Sequence, residues 1–245
     1  FGTEAGEKLL PAMLEFYRLC GIRKPEFMGW NQVELDKKKY IKGWSPIKNT
    51  DFSLTEFGGE LDRYLESYES IKRILSEVEP IIPQERKDAF FAQIKYPVFG
   101  AAAMSTKMLE AQRARCIFPG SCDTNLWTRE SQLMNACAKS IKAYQEIRDL
   151  TDYYNHKLAG GKWKYSMCYN PRDLYVFYPP TLPIWLTDQE IEQYTFPEST
   201  KSLPLKEVSK DKCIVANACN YTKATDGVIV IQSLGHSMNA EIGRA

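Results

Sequence analysis

Apolar residues recur at three- and four-residue spacing through most of the first 160 positions, and the pattern then changes character. Residues 3–20 place Leu9/Leu10, Met13, Phe16/Tyr17 and Cys20 on one helical face, with Gly21 as the stop and Pro11 either kinking the helix or marking its true start. A second helix is expected after Ser53, which forms a capping box with Glu56, and runs through Leu54, Phe57, Leu61, Tyr64/Leu65, Tyr68, Ile71, Leu75 and Val78. Pro80 and Pro83 end it. A third helix, over about residues 84–118, turns Phe90/Phe91, Ile94, Val98, Ala101, Met104 and Met108 inward. Pro97 lies well inside it and predicts a kink, and the small residues 100–103 allow a neighbouring helix to come close. The fourth, over about residues 123–158, carries Leu133, Cys137, Ile141, Tyr144, Ile147, Thr151, Tyr154 and Leu158, and Gly160-Gly161 stops it. Long helices joined by short turns predict an antiparallel bundle over residues 1–160.

Three stretches fall outside this periodicity. Residues 22–52 are irregular, hold the run Lys37-Lys38-Lys39, and are too long for a plain connection in a compact domain. Residues 161–206 form a linker rich in aromatics and proline, with one short helical turn near 188–193. Residues 207–245 switch to strand pattern: CIVANACNYT and VIVIQSLG flank the Asp226-Gly227 hairpin signal. Two strands cannot keep an apolar face from water, so this segment reads as a truncated, partial β-sandwich or as a hairpin packed on the bundle. The expected fold class is therefore mainly α: a helix bundle, an irregular aromatic linker and a short antiparallel β segment.

Composition narrows the function classes. With 32 basic and 31 acidic side chains the net charge is +1, which gives no electrostatic footprint for nucleic acid or an anionic membrane. No apolar run reaches the roughly 18 to 20 residues that a membrane span needs. The N-terminal residues show no secretory leader, and both ends read as cut from something longer. The seven cysteines are unevenly spaced, which argues against a disulfide framework, although Cys116 and Cys122 flank a Pro-Gly turn closely enough for one bridge. Cys213 and Cys219 on a regular strand would lie about 20 Å apart. With no CxxC and only two histidines, no metal site is expected.

Catalytic patterns are missing: no nucleophile elbow, zincin motif, P-loop or dinucleotide fingerprint occurs. The carboxylate pairs Glu4/Glu7 and Asp149/Asp152 read as solvated helix faces rather than as the flanking pair of a glycosidase. His156, near the end of the fourth helix, is either an acid or sugar-binding donor or a helix-end histidine bonding a nearby carbonyl. His236 reads as a turn residue. The segment with binding chemistry is the aromatic loop, where Trp163, Tyr165, Tyr169, Tyr175, Phe177 and Tyr178 surround Arg172 and Asp173. Aromatic faces stack on the C–H faces of sugars, and arginine forks onto a carboxylate such as a uronic acid; packing against the bundle is the plainer use of the same rings. Trp163, Tyr169, Arg172 and His156 are the substrate-contacting candidates. No catalytic residue is assigned.

The stretch LTDYYNHKLAGGKW at 150–163 resembles glycoside hydrolase family 115, the xylan α-glucuronidases, in the helical domain that follows the catalytic barrel. In the same order, Arg23-Lys-Pro-Glu26, FSLTEF at 52–57 and KDAFFAQIKYPV at 87–98 fit the family, and IVANACNYT and VIVIQSLGHS resemble the opening strands of its C-terminal β-sandwich. The resemblance implies a parent that removes glucuronic or 4-O-methylglucuronic acid side chains from xylan by inversion and without a cofactor. Its catalytic carboxylates would lie in a barrel N-terminal to Phe1. The chain departs from the family after Trp163, where KYSMCYNPRDLYVFYPP replaces the usual Met-Met and Gln-x-His-Ile-Gly-Tyr stretch, and residues 29–50 look longer than usual. Both departures leave the substrate open.

The expected role is an accessory scaffold. Its partners would be the parent's N-terminal barrel, a glucuronoxylan-type polysaccharide and, at a subunit interface, a second copy, with no nucleic acid and no membrane. The resemblance implies a periplasmic or secreted setting. The alternative is a helical module that binds carbohydrate or protein with no part in hydrolysis. A free-standing enzyme using His156 and Asp152 is the third and weakest option.

Overall fold

The computed structural model describes residues 1–28, 49–117, 126–171 and 174–194. Cys122, the lysine run at 37–39, Arg172, Asp173, His236 and the whole β segment expected at 207–245 lie outside the described residues. Six α-helices order the described chain: α1 (Thr3–Ile22), α2 (Glu60–Val78), α3 (Lys87–Phe90), α4 (Tyr96–Ile117), α5 (Leu126–His156) and α6 (Asp188–Tyr194). The architecture is the expected helix bundle, and no strand occurs among the described residues.

The first helix follows the predicted span with one change of face. Ala5, Leu9, Ala12, Phe16 and Leu19 turn inward, while Leu10, Leu14 and Tyr17 are exposed. Gly21 does not stop α1, which ends one residue later where Arg23 turns extended (φ −156°). Pro11 sits inside the helix on its solvent side.

The start of α2 differs more from the pattern. Ser53 Oγ accepts from the Glu56 amide at 2.9 Å, as a capping box requires, but only a single turn follows. Phe57, Gly58 and Gly59 all take left-handed conformations (φ 54°, 69° and 68°), and three such residues in a row cannot continue a right-handed helix. The helix restarts at Glu60, whose carboxylate accepts from the Ser53 amide at 3.0 Å. The reciprocal bond of the box is thus supplied from seven residues away rather than three. Phe57, expected on the inner face, is 73% exposed.

Pro97 does not kink one long helix. The chain widens into a π turn over Phe91–Lys95 between α3 and α4. A proline clashes with the carbonyl four residues back and offers it no N–H, and a wider turn just upstream moves the carbonyls off that register.

Helices α4 and α5 form the central antiparallel pair. Tyr96 meets Thr151 (3.3 Å), Ser140 donates to the Lys107 carbonyl (2.7 Å) and Glu110 lies 3.8 Å from Lys139, so rising positions on one helix face falling positions on the other. Helix α2 packs against α4, α1 against α2, and α6 against α5. Small residues on α4 and α5 (Ala102, Ala103, Ala111, Ala114, Ala136, Ala138) are buried where helices meet, consistent with close approach.

Being packed on several sides, α4 has no wet face at its centre: from 102 to 114 every residue except Thr106 is buried. Ser105 Oγ is buried there without a hydrogen-bond partner, whereas the longer polar side chains are engaged. Gln112 accepts from the Thr50 amide (2.6 Å) and hydroxyl (2.7 Å) and donates to the Thr50 (3.2 Å) and Phe52 (2.9 Å) carbonyls, clamping the segment that leads into α2. Arg113 donates through Nε to Glu110 (2.9 Å) and forks onto Asp62 of α2, and Lys139 of α5 completes the group. Cys116 carries a free thiol that accepts from the Asn49 side-chain amide (3.4 Å); Cys122, with which its spacing would allow a bridge, lies outside the described residues.

The aromatic segment after α5 is bound tightly to this bundle. Val176, in a 3-10 turn over Tyr175–Phe177, is buried in the main core with Leu174 and Phe177 beside it. Farther on, Leu186 and Ile191 join Leu133, Ala136, Cys137 and Ile141 in a second core. A capping box unremarked in the sequence starts α6: Thr187 Oγ1 and Glu190 bond each other's amides (3.4 and 2.8 Å). Asn135 of α5 holds its far end by donating to the Tyr194 carbonyl (2.7 Å).

Candidate functional site

Arg148, Asp152 and His156 are spaced four apart, so they share one stripe at the C-terminal end of α5. The helix ends there because Ala159, Gly160 and Gly161 are left-handed (φ 48°, 66° and 82°). At Gly161 an added Cβ would come within 3.1 Å of the His156 carbonyl oxygen, so both conformation and space favour glycine. The chain then turns through bonds from Lys164 N to Gly161 O (3.2 Å) and from Ser166 N to Trp163 O (3.0 Å).

Asn155 fixes this loop to the helix. It is buried, donates to the Met167 carbonyl and accepts from the Met167 amide, both at 2.9 Å. That grip brings Tyr169 back over the stripe. Its hydroxyl donates to Asp152, and the Arg148 guanidinium lies 4.6 Å from the centre of its ring. The Asp152 carboxylate beside the hydroxyl raises the Tyr169 phenol above its ordinary pKa. His156 Nδ1 lies 3.2 Å from the Asp152 carbonyl and 3.6 Å from its carboxylate, the geometry of a helix-end histidine.

Of the four candidate residues, His156 and Tyr169 thus meet through Asp152. Trp163 lies in the preceding turn with the Lys162 ammonium 5.1 Å from its ring centre, and Arg172 lies outside the described residues. Arg148 and Asn155 were not among the candidates, and Asp152 entered only with His156 in the free-standing-enzyme reading. The four-residue spacing of Arg148 and Asp152 with His156 was a readable signal; the role of Asn155 depends on a chain reversal that spacing does not report. Glu4, of the other carboxylate pair, makes an exposed ion pair with Lys8 at 3.0 Å. Among the described residues no group of three or more His, Cys, Asp or Glu could hold a metal ion, and no helix is long and apolar enough to cross a membrane.

If Asn155 sets the loop, Asn155→Ala should free it. Two part-buried backbone groups of Met167 lose their partner, a cost of about 2 kcal/mol. Tryptic cleavage after Lys162 and Lys164 should become faster than in the parent chain, and an unchanged cleavage rate would show that the turn holds itself.

A second polar feature lies beneath the aromatic segment. Lys107 of α4 is 1% exposed and donates to the Val176 and Tyr178 carbonyls, the latter at 3.0 Å. Its ammonium also lies 5.6 Å from the centre of the Tyr144 ring. Burial pushes the amine down to about 7. It anchors the segment that the sequence marks as aromatic loop.

No family model and no curated protein matches this sequence. The described helices have a GH115-like fold, and the likeness extends to sequence, relating this chain to the family GH115 glycoside hydrolases. The solved structure that carries it is a GH115 4-O-methyl-α-glucuronidase with specificity for decorated arabinogalactans, matched at 32% identity and a TM-score of 0.56. The match covers 74% of this chain but 20% of that one, so the chain spans about a fifth of that protein's length.

Proposed function

We propose that this chain is the helical accessory part of a GH115-like α-glucuronidase, supporting an active site that other parts of the same protein carry. The observation behind this reading is the match to a GH115 glucuronidase at 32% identity over 74% of the chain. FSLTEF, KDAFFAQIKYPV and LTDYYNHKLAGGKW, in that order along the sequence, resemble the same family. The substrate class is a polysaccharide bearing glucuronic or 4-O-methylglucuronic acid, either a glucuronoxylan or a decorated arabinogalactan. Such polymers are met in the periplasm or outside the cell.

The reading assigns the Arg148–Asp152–Tyr169 group to holding the loop rather than to bond cleavage. Glycoside hydrolysis needs two carboxyl groups on either side of the sugar, one of them free to give up or take a proton. Asp152 is instead engaged by Tyr169 and His156.

The test is uronic acid release from glucuronoxylan and from a decorated arabinogalactan, comparing this chain with a longer protein that contains it. Release by the longer protein alone is expected. Release by this chain alone would overturn the accessory role, and release by neither would overturn the glucuronidase reading.

A further inference from the structure

The loop that follows α5 holds a residue that the fold does not explain. Tyr165 is 82% exposed and sits at φ 66°, a conformation that glycine adopts freely and a tyrosine adopts only under strain. Both its exposure and its backbone oppose stability. A glycine there would serve the turn better, so a large aromatic ring at this position calls for a use outside folding.

Its surroundings indicate which use. Trp163, two residues earlier, is 41% exposed. The ammonium of Lys162 lies 5.1 Å from the Trp163 ring centre, and that of Lys164 lies 5.2 Å from the Tyr165 ring centre. Each ring thus carries a cation, with Tyr165 standing largely in solvent and Trp163 partly exposed. Lys157 is also exposed in this stretch, and no aspartate or glutamate occurs between Asp152 and Asp173. In a chain whose net charge is only +1, this is a local concentration of positive charge around two open rings. The platform is not loose: the Asn155 grip on Met167 and the turn bonds at Lys164 and Ser166 hold it against the end of α5.

We propose that Trp163 and Tyr165, with Lys162 and Lys164, form a non-catalytic surface site for an acidic polysaccharide. The rings stack on the C–H faces of successive sugars while the lysines meet a uronic acid carboxylate beside them. The choice of glycan as the anion rests on the glucuronidase reading above; the site itself rests on the loop's geometry and charge. It would hold the parent protein on its polymer during repeated cleavage.

Affinity electrophoresis of this chain in gels containing glucuronoxylan tests the site. Saturable retardation is expected, weaker with a neutral arabinoxylan and weaker as salt is raised. Tyr165→Gly should loosen retention about tenfold, the size of one lost aromatic contact, while its melting temperature holds or rises because the backbone strain is gone. Lys162→Gln with Lys164→Gln should remove the preference for the acidic polymer and leave the fold intact. Absence of retardation, equal retention by the neutral polymer, or a Tyr165→Gly chain that binds as well as its parent would each overturn the proposal. Equal retention by a single-stranded RNA at the same ionic strength would overturn the glycan assignment. Uronic acid release by the longer protein, with no retardation of this chain, would sink this site alone and leave the proposed function standing.

Discussion

Replacing Arg113 with alanine is expected to destabilise the chain by about 3–5 kcal/mol, the usual cost of leaving one member of a buried ion pair behind. The reason lies in what remains. Glu110 is 4% exposed and is held by Arg113 Nε at 2.9 Å, with Lys139 at 3.8 Å as its other cation. Asp62 on α2 would lose the fork that ties α2 to α4. For a chain of this size the midpoint should fall by about 10 °C. The double variant Arg113→Met with Glu110→Leu removes both charges together and should recover much of that loss, because well-packed apolar groups replace buried pairs at little cost. Thermal unfolding of the two variants checks this. A single variant no less stable than the double one would show that the network contributes nothing.

The second large effect is expected at Lys107. Lys107→Ala removes the donor to two carbonyls and leaves a cavity between α4 and the aromatic segment, together about 2–4 kcal/mol. The penalty should depend on pH. In the folded chain the amine loses its proton near pH 7, because burial disfavours the ammonium, whereas unfolded lysine holds it to about 10.5. Between those values the unfolded state binds more protons, so the parent chain gains stability as pH rises from 7 toward 10.5. Below pH 7 both states are protonated and the burial cost is fully present. The neutral amine retains two N–H donors for the Val176 and Tyr178 carbonyls, so the anchor persists at high pH. Urea unfolding at pH 6 and pH 9 should show a larger loss for Lys107→Ala at pH 9, and the opposite order would refute the neutral-amine account.

Much of the bundle was legible because helix burial is periodic. Leu61, Tyr64, Leu65, Tyr68, Ile71, Leu75 and Val78 are buried on α2, and Leu133, Cys137, Ile141 and Thr151 on α5, as their spacing predicts. Where the reading went astray, a local signal was outweighed by backbone conformation. Ser53 and Glu56 look like a helix start, yet the left-handed run at Phe57–Gly59 delays α2 to Glu60. The proline in KYPV predicts a kink, and the chain answers with a π turn. In the site, the register of Arg148, Asp152 and His156 was visible, but the return of Tyr169 onto Asp152 required the loop to fold back.

The sequence by itself determined which segments become helices and which faces of α2 and α5 turn inward, since three- and four-residue spacing maps directly onto one side of a helix. It also marked the aromatic loop. Tertiary structure alone decided the fate of α4. Its stretch from Lys107 to Ala114 mixes charged and apolar residues, and helices on several sides bury all of it. Once water is excluded, every charge there must find a partner inside the protein, and spacing along one chain says nothing about partners on another element. Asp62, Thr50 and the Val176 carbonyl lie 51, 62 and 69 residues away from the side chains they satisfy.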